Sequence, residues 1–201
     1  MTTVTISPKQ VSELRARTGA GMMDCKRALE EAAGDMDKAA EILRRKGIAR
    51  AEKRAGRTAA QGVVVSYIHH NQQVGVLLEL NAETDFVARN EAFQQLARDV
   101  ALHVASADPI AVSAEDIPAE LLERERRIAE EQVAAEGKPE NIRPKIVEGK
   151  LKKFIAERTL LEQPYVKDDS KTVGQLVKEL SGKLGEAIQI RRFARFKVGE
   201  A

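Results

Sequence analysis

The chain has 201 residues, enough for one or two domains with cores of their own. Its 33 Lys and Arg nearly balance 31 Asp and Glu, and a net charge of +2 argues against a general polyanion binder while leaving room for local basic clusters. Hydrophobic content of 43% fits a soluble globular protein, and no stretch approaches the ~20 apolar residues of a membrane span. The opening Met1–Pro8 lacks the basic region and apolar run of a signal peptide, and a single Cys25 excludes an intrachain disulfide, so a cytoplasmic location is expected.

Ser7-Pro8-Lys9-Gln10 reads as a helix start. Ser7 can cap, Pro8 suits the first helical position and Gln10 completes a capping box. Val11 and Leu14 supply the apolar side, and Gly19 the stop. Met22 to Ala33 is a second short helix closed by Gly34. Asp35 can cap a third, with Met36, Ala39, Ala40 and Leu43 on one face and Gly47 at its end. Three short helices make a small bundle. Ile48 to Arg57, with Arg50, Glu52, Lys53, Arg54 and Arg57, reads as a solvated helical connector, and residues 1–53 are taken as the first domain.

Residues 54–201 form the second. Val63 to His69 and Val74 to Asn81 are strands joined by a turn at His70-Asn71-Gln72-Gln73. A helix with Phe93, Leu96, Ala97, Val100, Ala101 and Val104 follows, capped by Asn90 and broken at Asp108-Pro109. Beyond Ile117-Pro118 the charged run Glu120 to Glu136 carries a thin stripe of Leu121, Leu122, Ile128 and Val133. Gly137-Lys138-Pro139 is its turn, and Arg143-Pro144 starts a return helix with Ile146, Val147, Leu151, Phe154 and Ile155. Thr172 can cap a last helix bearing Val173, Leu176, Val177, Leu180 and Leu184. Ala187 to Val198 alternates as a strand, with Ile188, Ile190, Ala194, Phe196 and Val198 on one face and Arg192 interrupting it. A terminal strand must pair, most simply with the 63–81 hairpin. The expected fold is α+β: a three-helix bundle, then a three-stranded antiparallel sheet with packed helices and a protruding helical segment.

Thr84-Asp85-Phe86-Val87-Ala88-Arg89-Asn90 lies at the junction between the second strand and the following helix, where a scaffold presents side chains outward. Phe86 belongs to neither periodic pattern. It either folds into the core or stands exposed beside Asp85, ready to enter a partner's pocket. Met22 and Met23 at a glycine-rich helix start form a small adaptable apolar patch, with one of the two expected in the bundle core and Lys26, one turn on, beside the exposed one.

Enzymatic chemistry is poorly represented. His69 and His70 lie near a turn with Glu83 and Asp85 a strand away, but adjacent strand residues point to opposite faces, so no metal is expected. His-Glu-x-x-His, Cys-x-x-Cys and Gly-x-Ser-x-Gly are absent, and without Gly-x-x-x-x-Gly-Lys-Ser/Thr the chain should not bind guanine nucleotide itself. Cys25 reads as a packed thiol. Arg191-Arg192-Phe193-Ala194-Arg195-Phe196-Lys197 interleaves basic and aromatic residues and could contact RNA, although no RNA-recognition signature accompanies it.

Thr84 to Asn90 resembles the signature of the bacterial elongation factor Ts family. Thr18 to Leu29, the run from Tyr67 through Val74-Gly75-Val76 to Asn81, and Glu162 to Asp168 resemble the same family in the same order. The resemblance implies a ubiquitin-associated-type bundle and an exchange factor for elongation factor Tu, without chemical catalysis and without a cofactor. It assigns Thr84, Asp85, Phe86 and Val87 to disturbing the partner's Mg²⁺ site, and Met22, Met23 and Lys26 to holding its nucleotide-binding domain. It shifts the reading of Phe86 toward exposure. Room for a single core module implies a homodimer, with Arg191, Arg192, Phe193 and Arg195 near its interface. The alternative is an RNA-associated translation protein using the terminal strand.

Overall fold

A computed structural model describes residues 6–137 and 139–200. Met1–Thr5, most of the stretch read for a leader, and Lys138, the middle of the Gly137–Pro139 turn, lie outside the described residues. The helices are α1 (Pro8–Thr18), α2 (Met22–Glu31), α3 (Met36–Arg54), α4 (Asp85–Ala88), α5 (Glu91–Ala107), α6 (Ala119–Ala135), α7 (Arg143–Arg158) and α8 (Val173–Leu184). The strands are β1 (Gln61–Ile68), β2 (Val74–Ala82), β3 (Pro164–Tyr165), β4 (Asp168–Thr172) and β5 (Ile188–Lys197). The fold is α+β, with one three-stranded antiparallel sheet in the order β1-β2-β5.

The chain forms two compact units, each assembled from separate segments. The first takes the described residues up to Val63, with Leu80–Leu96 and Gln175–Gln189; the second takes Val64–Glu79, Ala97–Gly174 and the residues from Ile190 on.

In the first unit, α1 begins as its sequence requires. Ser7 Oγ accepts the Gln10 N–H, and Gln10 Oε1 accepts the Ser7 N–H at 2.9 Å. Gly19 ends the helix at φ 70°, a left-handed conformation that a side chain would disfavour. Asp35 caps α3 through the N–H groups of Asp37 and Lys38. Leu14, Cys25, Ala28, Leu29, Ala39 and Ile42 form the bundle core, with Met36, Ala40 and Leu43 partly buried around it.

Gly47 does not end the third helix, which runs on to Arg54 and absorbs the expected connector. Gly47 serves packing instead. A Cβ on Gly182 of α8 would stand 2.7 Å from the backbone C and O of Gly47, so the two helices touch where neither has a side chain. Ala51 is buried, and Lys178 of α8 reaches Glu52 at 2.9 Å.

In the second unit, the His69 N–H donates to Val74 O across the hairpin, and the Val198 N–H to Gln73 O ties β5 to the same end of the sheet. Val76 and Leu78 of β2 are buried, as are Ala97, Val100, Ala101 and Val104 of α5. Helices α6 and α7 pair over a small core of Ala129, Val133, Val147 and Leu151. Ile128, expected on that stripe, is exposed, because Ala129 one position on takes the inward place beside Val133 four residues later.

Beyond α7, Pro164–Tyr165 pairs antiparallel with β4. This loop is fixed by buried His103. Its Nδ1 accepts the Val166 N–H at 3.2 Å, which leaves the proton on Nε2 for Gln163 Oε1 at 3.0 Å. Burial lowers the His103 pKa, keeping the ring neutral as these bonds demand.

Candidate partner-binding site

Strand β2 ends at Ala82, and within three residues the chain turns into α4. Thr84 is the cap. Its backbone is extended, and its Oγ accepts the Val87 N–H at 3.4 Å. One further turn on, Asn90 Oδ1 accepts the Ala92 N–H at 2.9 Å and starts α5. Between the two caps only one helical turn fits, so side-chain direction follows from the ~100° step per residue. Val87 and Ala88 go inward and are buried; Phe86 goes outward and is 82% exposed. The core alternative for Phe86 is thereby excluded. Asp85 is exposed as well and pairs with Arg89 at 2.8 Å, one turn along.

Two residues that sequence reasoning did not assign to this site hold the junction in place. The Thr84 N–H and Oγ–H both donate to the Glu186 carboxylate, at 3.0 and 2.7 Å. The Glu83 carboxylate accepts the Ala187 N–H at 2.7 Å and faces Arg57. That backbone bond, with Arg57 and Arg54 adding to it, lowers the Glu83 pKa. Their separation of about 100 residues left no local signal. Glu83 is thus a structural acceptor. The rings of His69 and His70 lie 4.2 Å apart, with Tyr67 Oη 3.0 Å from His69 Nδ1. Among the described residues no cluster of three or more His, Cys, Asp or Glu is arranged to hold a metal ion. Nor is any described helix long and apolar enough to cross a membrane.

The start of α2 is a second exposed apolar edge. Cys25, Ala28 and Leu29 take the inward face, so Met22 and Met23 are both exposed and neither is bundle core. Lys26 is half-exposed, 3.9 Å from Glu30. In the same turn Asp24 bonds Arg50 of α3 at 2.9 Å and Arg27 at 2.6 Å. The two guanidiniums, Arg50 foremost, lower the Asp24 pKa to about 2.

On β5 the expected faces need correction. Ile188 and Ile190 are buried, but Ala194, Phe196 and Val198 on the same face are exposed. Arg192 among them pairs with Glu79 at 2.7 Å. On the opposite face Phe193 is half-buried and the Arg195 side chain is only 11% exposed, held by Asp108 at 3.2 Å and Glu200 at 2.8 Å. Arg191 is exposed. Both faces carry apolar residues, so alternation could not tell which is covered past Ile190. The open one continues onto Val64, Ile68 and Leu77.

A protein-family model described as elongation factor TS matches residues 8–200. The elongation factor Ts of Carboxydothermus hydrogenoformans is 56% identical over 97% of this chain and 90% of its own length. That of Desulforamulus reducens is 54% identical over the same shares, and that of Thermosipho melanesiensis is 53% identical over 97% of this chain and all of its own. A match of this extent, carried through both units and both exposed edges, shows that the chain belongs to the elongation factor Ts family, elongation factors of protein biosynthesis.

Proposed function

We propose that this chain is a guanine-nucleotide exchange factor for elongation factor Tu, acting in the cytoplasm, with no chemical catalysis and no bound nucleotide, metal or cofactor of its own. The observation that carries this reading is Phe86. A large aromatic side chain, 82% exposed on a doubly capped turn, is costly to leave in water unless a partner takes it.

Exchange requires only that the factor bind the nucleotide-free partner more tightly than the nucleotide-bound one. Linkage then weakens nucleotide binding in the complex by the same factor. The partner's Mg²⁺ is the cheapest point of attack, because the cation carries much of the charge compensation around the phosphates. Phe86 wedges against the partner beside that site, with Thr84 and Val87 holding the turn. Asp85 exchanges Arg89 for a basic or polar group of the partner. Met22, Met23 and Lys26 anchor the nucleotide-binding domain, which makes the wedge's action effectively intramolecular. Residues 1–53 act as a binding module on a core of 54–201, and deletion of 1–53 weakens capture.

A homodimer forms through the open sheet face of Val64, Ile68, Leu77, Phe196 and Val198, flanked by Arg192, in place of the face that carries Arg191, Phe193 and Arg195. Light scattering at micromolar concentration gives twice the chain mass; a monomer would sink this assignment. The RNA alternative is disfavoured because Arg192 and Arg195 are already paired with carboxylates.

The test of the main reading is release of a fluorescent GDP analogue from purified elongation factor Tu. Acceleration by substoichiometric amounts of this protein is expected; binding without acceleration, or no binding, would refute exchange.

A further inference from the structure

The α4 turn cannot orient itself. It has four residues, and one turn of helix is far below the length at which helices are stable in water. Its backbone bonds are few: Ala88 N–H to Thr84 O at 3.2 Å, Arg89 N–H to Asp85 O at 3.1 Å and Asn90 N–H to Val87 O at 2.9 Å. Val87 and Ala88 pin its inner side. The direction of its outer side therefore depends on how Thr84 is held.

Thr84 spends both of its donors on one carboxylate. Glu186 takes the N–H on Oε2 and the hydroxyl proton on Oε1, so Thr84 is gripped at backbone and side chain together. With its proton committed, the Thr84 oxygen has a lone pair aimed at the Val87 N–H. A relay thus runs from Glu186 through the Thr84 hydroxyl to the backbone of Val87, immediately after Phe86. Glu186 is itself fixed, since Ser181 Oγ donates to its carbonyl at 2.6 Å. Glu83 returns the arrangement by taking the N–H of Ala187. Each glutamate side chain bonds the backbone of the other segment, and the 83–84 and 186–187 steps are cross-stitched.

These bonds lie at an exposed site, where charge-assisted contacts add little to global stability. Their directional effect is larger, because two parallel bonds to one carboxylate fix an angle as well as a distance. We propose that Glu186, supported by Glu83, is a positioning residue for exchange: it sets the angle at which Phe86 is presented and governs the maximal exchange rate rather than capture of the partner. This rests on the wedge reading of Phe86.

The experiment is GDP-analogue release from elongation factor Tu, measured against increasing factor concentration, for wild type, Glu186→Ala, Thr84→Val, their double variant, Thr84→Ser and Phe86→Ala. Glu186→Ala is expected to lower the maximal rate by about 10-fold, since misplacement of a working group by roughly an ångström costs up to ~100-fold. Half-saturation should move by less than about twofold, because the α2 edge is untouched. The double variant should be no slower than Thr84→Val alone, as two members of one relay are not additive. Thr84→Ser, which keeps the hydroxyl, should restore the rate. A merely structural role would reduce the active fraction and produce neither the rate-specific loss nor the non-additivity. A wild-type maximal rate for Glu186→Ala alongside a slow Phe86→Ala overturns this proposal and leaves the wedge standing. Multiplying effects in the double variant also overturn it. A wild-type rate for Phe86→Ala removes the wedge and this proposal with it. If Glu186→Ala is unfolded by circular dichroism, Glu186→Gln, which keeps one accepting oxygen, is judged by the same rate and additivity criteria.

Discussion

The start of α2 and the turn of α4 both hold large apolar side chains out to solvent, yet they are built in opposite ways. At α2 the cap is Gly21, with no side-chain bond to the helix, and the exposed residues are two methionines with three rotatable bonds each. At α4 the cap is Thr84, itself bonded to Glu186, and the exposed residue is a stiff aromatic ring. A surface that adapts suits adhesion, because it fits a partner in more than one state. A surface that cannot adapt suits discrimination, because it fits one state well and the other badly. The exchange proposed for this chain needs one of each.

The contrast predicts a separation of kinetic effects. Phe86→Ala should lower the maximal rate of nucleotide release by about 100-fold, the scale of losing a central aromatic anchor, with the melting temperature unchanged. A melting temperature that collapses would mean that Phe86 is needed for the fold. Met22→Ala with Met23→Ala should do the reverse, raising half-saturation by about 10-fold with little change in the maximal rate. If both variants changed the same parameter, adhesion and discrimination would not be divided between the two edges.

A third substitution strikes the scaffold and neither edge. Gly182→Ala pushes a methyl into the Gly47 backbone, which cannot yield as a side-chain tip would. It should cost about 1–3 kcal/mol of stability, the usual range for overpacking. That corresponds to a fall in melting temperature of a few degrees, at about 2–4 °C per kcal/mol for a chain of this size. Exchange per folded molecule should hold. Selective loss of maximal rate would instead tie α8 to the wedge through Glu186.

The bundle and the sheet strands were legible in the sequence because their signals are local: a capping box at Ser7 and Gln10, a cap at Asp35, alternation in 74–80. Gly47 misled because a glycine in a helical pattern has two causes, a stop or a close approach, and the second depends on Gly182, far along the chain. The β3–β4 pair was missed because a two-residue strand has no period to read. Phe86 was identified by its misfit with two neighbouring patterns, whereas Glu186 gave no signal, since its partner Thr84 is 102 residues away. Local chemistry was readable, and so was the pairing of the terminal strand with the hairpin; long-range contacts between side chains were not.

The smallest expected effect probes what keeps the adaptable edge in place. Asp24 follows Met22 and Met23 in the first turn of α2 and joins that helix to Arg50 of α3. Its carboxyl titrates near 2 in the folded chain against 3.8 for the free side chain. A lowered carboxylate pKa means that the unfolded chain binds the proton first. The stability from this pair is therefore complete above pH ~5 and is lost as pH falls through about 4 toward 2. Asp24→Asn should lower the melting temperature at pH 7 by a few degrees at most, given that the site is partly solvated. The difference between wild type and variant should close as the pH approaches 2. A constant difference down to pH 2 would show that Asp24 stabilises α2 by packing or neutral hydrogen bonding rather than by charge. The methionine edge would then not depend on the ion pair for its placement.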